Sequence, residues 1–286
     1  MNTYTSMHDT VGTLQTLPAM PKTALEILSI ELATDKGNEL LLKAIEKDLA
    51  ISARVIGLAN SPLFGTSRKI LTVADAATVL GIKRVKMVAL GFAMMTSVKR
   101  NPHGQLNVLR LWQHSMAVAL AMEALSSAMP KDMRPSGEEI YLAGLLHDIG
   151  FLILEYIDPE LSNRFHARLA TETELSACEL EDEMLEMNHC ELGALLAEHW
   201  NLTDVIVAVL RYHHQDVVNA DLPGKTLIAM TCLAEKLLPT FCMDKAPPTV
   251  IGIQEWQALG ISEDRVAEIE AEMRSRAEEI SSAFPG

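Results

Sequence analysis

A strongly apolar stretch between Tyr141 and Ile157, YLAGLLHDIGFLILEYI, constrains the fold more than any other part of this chain. A His–Asp pair, His147 and Asp148, lies in the middle of it. Burying an unpaired carboxylate costs several kcal/mol, and no Lys or Arg occurs between residues 135 and 163 to neutralise it. Asp148 therefore needs a partner from elsewhere in the chain: a histidine, a set of backbone or hydroxyl donors, or a metal ion.

The composition of the chain favours helices over strands. Met is abundant at 15 residues, whereas aromatic residues make up only 5% of the 286. Strands prefer β-branched and aromatic residues, and we find no alternating segments separated by hairpin turns. We therefore predict an all-α, multi-helical bundle with an N-terminal helical subdomain. A chain of this length can bury a substantial core as one large domain or two small ones.

The sequence predicts a cytoplasmic protein. The N-terminus, MNTYTSMHDT, lacks the basic segment and apolar run of a signal peptide. No uncharged apolar run reaches the ~18 residues of a membrane span. The four cysteines form no CxxC pair and are expected to be reduced thiols: Cys178, Cys190, Cys232 and Cys242.

Proline and glycine positions divide the chain into three predicted parts, 14–104, 105–240 and 250–286. The first break is the sequence NPHG at residues 101–104, and the second is a linker that opens with two prolines at 247–248. The third part holds a charged helix with one narrow apolar stripe, which we expect to dock on its own domain. The stripe consists of Val266, Ile269, Met273 and Ile280.

Local signals predict the first two helices of the N-terminal part. Proline suits the first turn of a helix, so Pro21 predicts a helix whose apolar face is Leu25, Leu28 and Leu32. Asn38 predicts the cap of the helix that follows.

Charge is distributed unevenly over the chain. The net charge of −14 argues against general nucleic-acid binding. Residues Leu49–Leu106 nevertheless carry eight Lys or Arg and one acid, whereas Leu169–Leu210 carry ten acids and no Lys or Arg. Two solvated faces explain this pattern; alternatively, the basic half meets an acidic partner or a nucleotide. Gly81 and the basic helix Ile82–Val98 also have the outline of a helix-turn-helix, which any tight helical hairpin shares.

Histidines are concentrated in the second half of the chain. Seven of the nine follow residue 110, and five lie in notable settings: His114, His147, His189, His213 and His214. A lone histidine on an apolar face is usually a core residue with a satisfied hydrogen bond. Neutral imidazole and carboxylate are, however, ligands for zinc, iron or manganese, and helical bundles hold metals by side chains from several helices. A metal and a hydrogen-bond network with His114 both fit the His147–Asp148 pair.

Several motifs resemble those of a known family. GLLHDIG, together with the upstream helix WQHSMAVALAMEAL, resembles the HD superfamily of metal-dependent phosphohydrolases. A narrower resemblance, to the HDOD domain of bacterial signalling proteins, covers about 14–238. It is carried by LPAMP, DLAISARVIGLANSPLFG, TVADAATVLGIKRVKMVAL and NHCELGALLAEHWNLTDVIVAVLRYHH. The resemblance implies an HD-like helical bundle.

The resemblance also implies metal ligands. One divalent cation (iron, manganese or zinc) would be held by His114, His147 and Asp148, with Glu235 near the place of a later aspartate. A second would be held by the histidines that resemble extra ligands of cyclic-dinucleotide phosphodiesterases: His189, His213 and His214. Three features depart from the catalytic relatives. The later aspartate has no clear counterpart, Phe151 replaces a lysine, and QDVVNADLP replaces the GYP sequence.

Three functions follow as alternatives. The leading one is a non-catalytic HDOD module in bacterial signal transduction, with no assigned catalytic residue. It would act as a standalone adaptor that binds a protein partner, a regulator of cyclic-dinucleotide or motility pathways. The second is a metal-dependent phosphohydrolase acting on a nucleotide or phosphodiester. The third is a DNA-binding regulator that uses Ile82–Val98. No membrane association is expected.

Overall fold

Helices form almost all of the ordered framework. The computed structural model describes residues 17–66, 68–96, 104–172, 174–215, 221–238 and 250–283. The helices are α1 (Lys22–Ser29), α2 (Asp35–Glu46), α3 (Leu49–Ala59), α4 (Val73–Leu80), α5 (Ile82–Met95), α6 (Val108–Ala128), α7 (Gly137–Leu146), α8 (Gly150–Ile157), α9 (Pro159–Leu169), α10 (Ala177–Met184), α11 (His189–His199), α12 (Asp204–Tyr212), α13 (Lys225–Leu237), α14 (Ile253–Ala258) and α15 (Glu263–Ala283). None of the described residues lies in a strand, which confirms the all-α prediction.

The central apolar stretch is two helices, not the single helix that the sequence suggested. α7 ends at Leu146 and α8 begins at Gly150. The turn between them tightens to an i+3 bond from the Ile149 amide to the Leu146 carbonyl at 2.9 Å. Residues Gly137–Ile157 are long and apolar enough to cross a membrane, but 83% of the 18-residue apolar window within this segment is buried inside the protein. They therefore form the core of the bundle.

The two halves of this stretch contact most of the site-bearing helices. α7 packs against α5, α6, α12 and α13, and α8 packs against α9 and α11. Residues from the turn are buried between these groups: His147 is 0% exposed and Asp148 is 2% exposed. The fold thus places the His–Asp pair where the helices of the second half of the chain meet.

Two predictions about the N-terminal helices are wrong. Leu25 and Leu28 are exposed, and the buried face of α1 is formed by Ala24 and Ile27. α1 ends at Ser29, before it reaches the third residue of the expected stripe. The cap of α2 is not Asn38 but Thr34, whose hydroxyl accepts from the Gly37 amide at 3.1 Å.

Lys86 supplies the physical reason for the early end of α1. Its ammonium donates to the Ile30 carbonyl at 2.6 Å and lies 3.4 Å from the Leu28 carbonyl. These carbonyls have no helical partner at a C-terminus, and a cation there is favourable. Lys86 is therefore a buried cap, only 8% exposed, and not part of a solvated basic face.

The helix-turn-helix outline is present but does not expose a reading surface. Thr72 caps α4 through the Asp75 amide at 3.0 Å, and α5 begins directly after Gly81. Every residue of α5 from Val85 to Met95 is buried. A recognition helix needs an exposed face that enters the major groove, so these residues give the DNA-binding alternative no support.

The C-terminal helix docks as predicted on the rest of the chain. α15 packs against α6, and Ile269, Met273 and Ile280 are buried. Buried side chains of all three predicted parts share one hydrophobic core. The boundaries of those parts stay a prediction, because residues 97–103 and 239–249 lie outside the described residues, as do 14–16 and Cys242.

Substituting Gly144 tests the close contact between α6 and α7. A Cβ at Gly144 would lie 2.5 Å from Ala119 Cα and 2.7 Å from Ala119 N, which are backbone atoms. Because such overpacking forces the two helices apart, we expect Gly144→Ala to lower the free energy of unfolding by about 2–3 kcal/mol in urea denaturation. Gly137→Ala is the matched control in α7, since a Cβ there meets nothing within 4 Å. Equal stability of the two variants would contradict this contact.

Candidate metal centre

Six side chains from five segments converge on one buried point, which we call the donor cluster. α6 supplies the first histidine, the α7–α8 turn the His–Asp pair, α11 the next histidine, the end of α12 another, and α13 a glutamate. The members are His114, His147, Asp148, His189, His213 and Glu235. The structure therefore brings together six of the seven residues that the sequence proposed as ligands, and the seventh, His214, has a ligand atom within 4.8 Å of those of His189 and His213.

Asp148 occupies the centre of the donor cluster. Its Oδ2 atom lies 3.2 Å from His147 Nε2 and 3.6 Å from His114 Nε2. Its Oδ1 atom lies 3.4 Å from His189 Nε2 and 3.6 Å from His213 Nε2. Each carboxylate oxygen therefore faces its own pair of imidazole nitrogens.

Glu235 completes the first of these two groups. Its Oε1 atom lies 2.8 Å from His114 Nε2 and 2.9 Å from His147 Nε2. α13 thus brings a carboxylate to the place where the resemblance implied a later aspartate. The glutamate side chain, which is longer than that of an aspartate, reaches His114 and His147 from α13.

Hydrogen bonds on the far side of the rings fix which nitrogen carries the proton. His147 Nδ1 lies 2.9 Å from the Gly144 carbonyl, and His213 Nδ1 lies 3.0 Å from the Leu210 carbonyl. A carbonyl oxygen only accepts, so both Nδ1 atoms donate. In the neutral imidazole, Nε2 then presents its lone pair to the centre of the cluster.

Two buried atoms at the centre of the donor cluster have no hydrogen-bond partner. His147 Nε2 and Asp148 Oδ1 make no hydrogen bond despite the short distances around them. His189 Nε2 and His213 Nε2 approach to 3.2 Å. Lone pairs that converge in this way need positive charge between them, and the donor types suit zinc, iron or manganese. The residues present therefore fit a divalent cation.

Electrostatics within the cluster point in the same direction. Burial lowers the pKa of His147, but the charges of Asp148 and Glu235 outweigh it and raise that pKa well above its ordinary value. Burial raises the pKa of Asp148, and the neighbouring histidines bring it well below the ordinary range. The carboxylates are thus ionised and demand positive charge from protons or from a cation.

Glu181 orients His189 and was not predicted. It is fully buried in α10; its Oε2 accepts from His189 Nδ1 at 2.6 Å, and its Oε1 accepts from the His189 amide at 2.9 Å. A carboxylate behind a ligating histidine fixes the ring and increases its basicity. The sequence hides this role, because Glu181 belongs to the acidic run Leu169–Leu210, which was interpreted as a solvated face.

Cys190 is the second residue that the sequence analysis missed. Its Sγ atom lies 3.5 Å from His189 Nε2 and 4.0 Å from His213 Nε2. Burial raises the pKa of this thiol, but the two histidines outweigh burial and lower it to about 6. Its position beside a proposed ligand in the sequence is the signal that could have found it.

His214 and Phe151 lie at the edge of the cluster. His214 is exposed, with its ring centroid 4.2 Å from that of His213. Phe151 is 2% exposed and stacks on His189 at 4.3 Å between ring centroids. The residue that replaces the expected lysine therefore covers the site with an aromatic ring.

Gly150 allows α8 and α11 to meet at the cluster. A Cβ on this residue would lie 1.9 Å from the His189 carbonyl oxygen. Only glycine permits so close a backbone approach. The glycine that follows the His–Asp pair thus sets the distance between Asp148 and His189.

A separate cleft of about 600 Å³ lies at the N-terminal ends of α5 and α7. Its charged lining residues are two cations, Lys83 and Arg84, and two carboxylates, Glu123 and Glu138. Arg84 is already bound to Glu123. These charges cancel, so the cleft offers no net positive charge to the phosphates of a nucleotide.

The chain matches a known domain over most of its length. The profile of the HDOD domain matches residues 17–216. Among solved structures, an HDOD domain protein of unknown function from Geobacter sulfurreducens is 24% identical, with a TM-score of 0.73 over 94% of each chain. A candidate phosphohydrolase from Shewanella amazonensis SB2B is 22% identical, with a TM-score of 0.70 over 98% of this chain and 99% of that one.

Two longer proteins are also similar. A candidate signal transduction protein from Marinobacter aquaeolei VT8 is 24% identical, with a TM-score of 0.72 over 99% of this chain but 61% of that one. An uncharacterized protein of Treponema pallidum (strain Nichols) is 24% identical over 220 residues, which are 76% of this chain and 41% of that protein. This chain thus spans less than two thirds of either relative, and identities this low establish a common fold. With the profile matched over more than half of its residues, the chain belongs to the HDOD domain family.

Proposed function

We propose that this chain is a regulatory module of bacterial signal transduction. It acts by binding a protein partner and carries out no turnover at the donor cluster. The similarity to the candidate signal transduction protein of Marinobacter supports the first part of this proposal. The partner belongs to a cyclic-dinucleotide or motility pathway, as the HDOD resemblance implied.

Enclosure of the donor cluster is the observation that carries the proposal. None of its six side chains is more than 7% exposed. A catalytic cation needs an open coordination position that water and substrate can reach. Phe151, stacked on His189, covers the cluster with an apolar ring where catalytic relatives offer phosphate a lysine. The site therefore suits a structural cation that takes no part in catalysis.

A cation bound at the donor cluster would stabilise the fold. Its ligands come from α6, the α7–α8 turn, α11, α12 and α13, which no single helix contact joins. Metal binding free energy becomes folding free energy when the unfolded chain lacks the site. The cluster would thus fix the relative positions of these helices and, through them, the surface offered to the partner.

A metal-dependent phosphohydrolase is the second candidate. The pairing of Glu235 with His114 and His147 favours it, because this carboxylate restores the donor that the sequence appeared to lack. The Shewanella relative named as a candidate phosphohydrolase agrees with it. When bound, a divalent cation would supply an activated water and polarise a phosphoryl oxygen.

Metal content and thermal stability test the role of the cluster. We expect the purified protein to contain a divalent transition metal, and chelation to lower the melting temperature by about 5 °C or more. His147→Ala, which removes a donor on one side of Asp148, should lower the metal content, whereas His199→Gln, a histidine outside the donor cluster, should leave it unchanged. A metal-free protein whose melting temperature does not respond to added zinc, iron or manganese would contradict this role.

Phosphatase and phosphodiesterase assays separate the two candidates. We expect the metal-loaded protein to hydrolyse nucleotides, cyclic dinucleotides and nitrophenyl phosphates no faster than the folded Asp148→Asn variant, within about twofold. The physical reason is that the side chains of the cluster are at most 7% exposed and so offer a phosphate little access. Metal-stimulated hydrolysis that disappears in Asp148→Asn would establish the phosphohydrolase instead.

Partner binding is tested with one protein identified by proximity labelling in the source bacterium. That protein should bind the purified chain directly, as measured by calorimetry. Because the donor cluster holds the helices that form this surface, a folded Asp148→Asn variant should bind the partner at least about tenfold more weakly, whereas His199→Gln, outside the cluster, should bind with a Kd within about threefold of the wild type. Labelled proteins that fail to bind the purified chain would argue against an adaptor role.

A further inference from the structure

Beyond the histidines and carboxylates, one thiol faces the donor cluster. Cys190 is the second residue of α11 and is 7% exposed. Its Sγ atom approaches the two imidazole nitrogens that already face Asp148 Oδ1, those of His189 and His213. A thiol and a carboxylate oxygen thus both face the same two imidazole nitrogens.

We infer that Cys190 is a metal ligand and that it forms, with His189, His213 and Asp148 Oδ1, a four-donor site for a thiophilic divalent cation such as zinc. This inference rests on the metal-binding part of the proposed function. It differs from the ligand set that the HD resemblance implied, which contained His214 and no cysteine. A ligand atom of His214 also lies within 4.8 Å of those of His189, Cys190 and His213, but His214 is the exposed member of this group, whereas Cys190 is buried.

The spacing of the donor atoms is that of a tetrahedral site. Metal–nitrogen distances of ~2.0 Å and metal–sulfur distances of ~2.3 Å separate tetrahedral donors by about 3.3 to 3.6 Å. The two Nε2 atoms are 3.2 Å apart, and each lies 3.4 or 3.6 Å from Asp148 Oδ1. Their distances to Cys190 Sγ are 3.5 and 4.0 Å. These five of the six separations in a four-donor tetrahedron agree with that geometry to within about 0.4 Å.

Hydrogen bonds within the protein do not satisfy these four groups. His213 and His189 each use Nδ1 as the donor, to a backbone carbonyl and to Glu181. The single thiol proton can serve only one of the two Nε2 lone pairs. Asp148 Oδ1 remains buried without a hydrogen-bond partner. One cation satisfies all four donors at once, and the thiol proton leaves to solvent as the sulfur–metal bond forms.

The two sides of Asp148 then prefer different metals. His114, His147, Asp148 Oδ2 and Glu235 offer two nitrogens and two oxygens. The Cys190 side replaces one oxygen by sulfur. Soft thiolate ligands favour zinc over manganese or magnesium, whereas carboxylates suit the harder ions. We therefore expect the Cys190 side to retain zinc or cobalt when the other side exchanges its metal.

Cobalt(II) spectroscopy tests the ligand directly, without any activity measurement. Titration of cobalt into the chelator-treated protein should produce tetrahedral visible bands together with a near-ultraviolet thiolate-to-cobalt charge-transfer band. Cys190→Ser should lose the charge-transfer band and bind cobalt at this side at least ~10-fold more weakly, while other cobalt binding persists. Cys178→Ser is the matched control and should retain the band. Circular dichroism checks that each variant is folded.

The outcomes separate this inference from the proposal on which it rests. Cobalt bound without a charge-transfer band, or a band that persists in Cys190→Ser, would overturn the thiolate ligand and leave metal binding intact. Absence of any cobalt binding to the folded wild-type protein would overturn both. A charge-transfer band that is lost only in Cys190→Ser would establish the ligand.

Discussion

The ionised carboxylate of Asp148, buried among four imidazoles, is the interaction on which the arrangement of this bundle depends. An unpaired carboxylate at 2% exposure would cost several kcal/mol. The chain offsets that cost by bringing histidines from α6, the α7–α8 turn, α11 and α12 to within 3.6 Å of its oxygens. His114 lies within α6, the His–Asp pair lies in the turn between α7 and α8, His189 is the first residue of α11, and His213 directly follows α12. The packing of these four elements is therefore tied to the position of Asp148.

Enclosure and catalysis make opposite demands on such a cluster. A chemical step needs an opening for substrate, whereas a structural centre gains from the removal of water, since electrostatic attraction strengthens as the local dielectric falls. In this chain, Phe151 favours enclosure of the cluster over catalysis. Stacked on His189 and almost fully buried, it contributes apolar packing where a lysine would attract phosphate. Phe151 therefore makes catalysis at the cluster less favourable, and by excluding water it strengthens the charge interactions among the side chains of the cluster.

Sequence reasoning succeeded where a chemical conflict or an apolar stripe was visible in the sequence. A His–Asp pair inside an apolar run demands partners, and the narrow stripe of α15 predicts the docking that buries Ile269, Met273 and Ile280. Sequence reasoning failed where the local sequence allows two alternatives and only tertiary contacts select one of them. The leucine stripe of α1 looked as good as the Ala24–Ile27 face, and only packing against α5 selected the latter. The functions of Glu181 and Cys190 likewise depend on which segments meet at His189.

The charges of the cluster explain why a cation and protons compete for it. Asp148, Glu235 and a Cys190 thiolate carry three negative charges in a space with almost no water. One divalent cation leaves one negative charge, and two leave one positive charge, so either occupancy nearly balances the site. Without a cation, the imidazoles must take up protons instead, which is why the pKa of His147 and that of His189 lie well above the ordinary value despite burial. Protonated imidazoles repel one another across the 3.2 Å between His189 and His213, whereas a shared cation attracts both. The geometry of the cluster is therefore more favourable for the metal than for the protons.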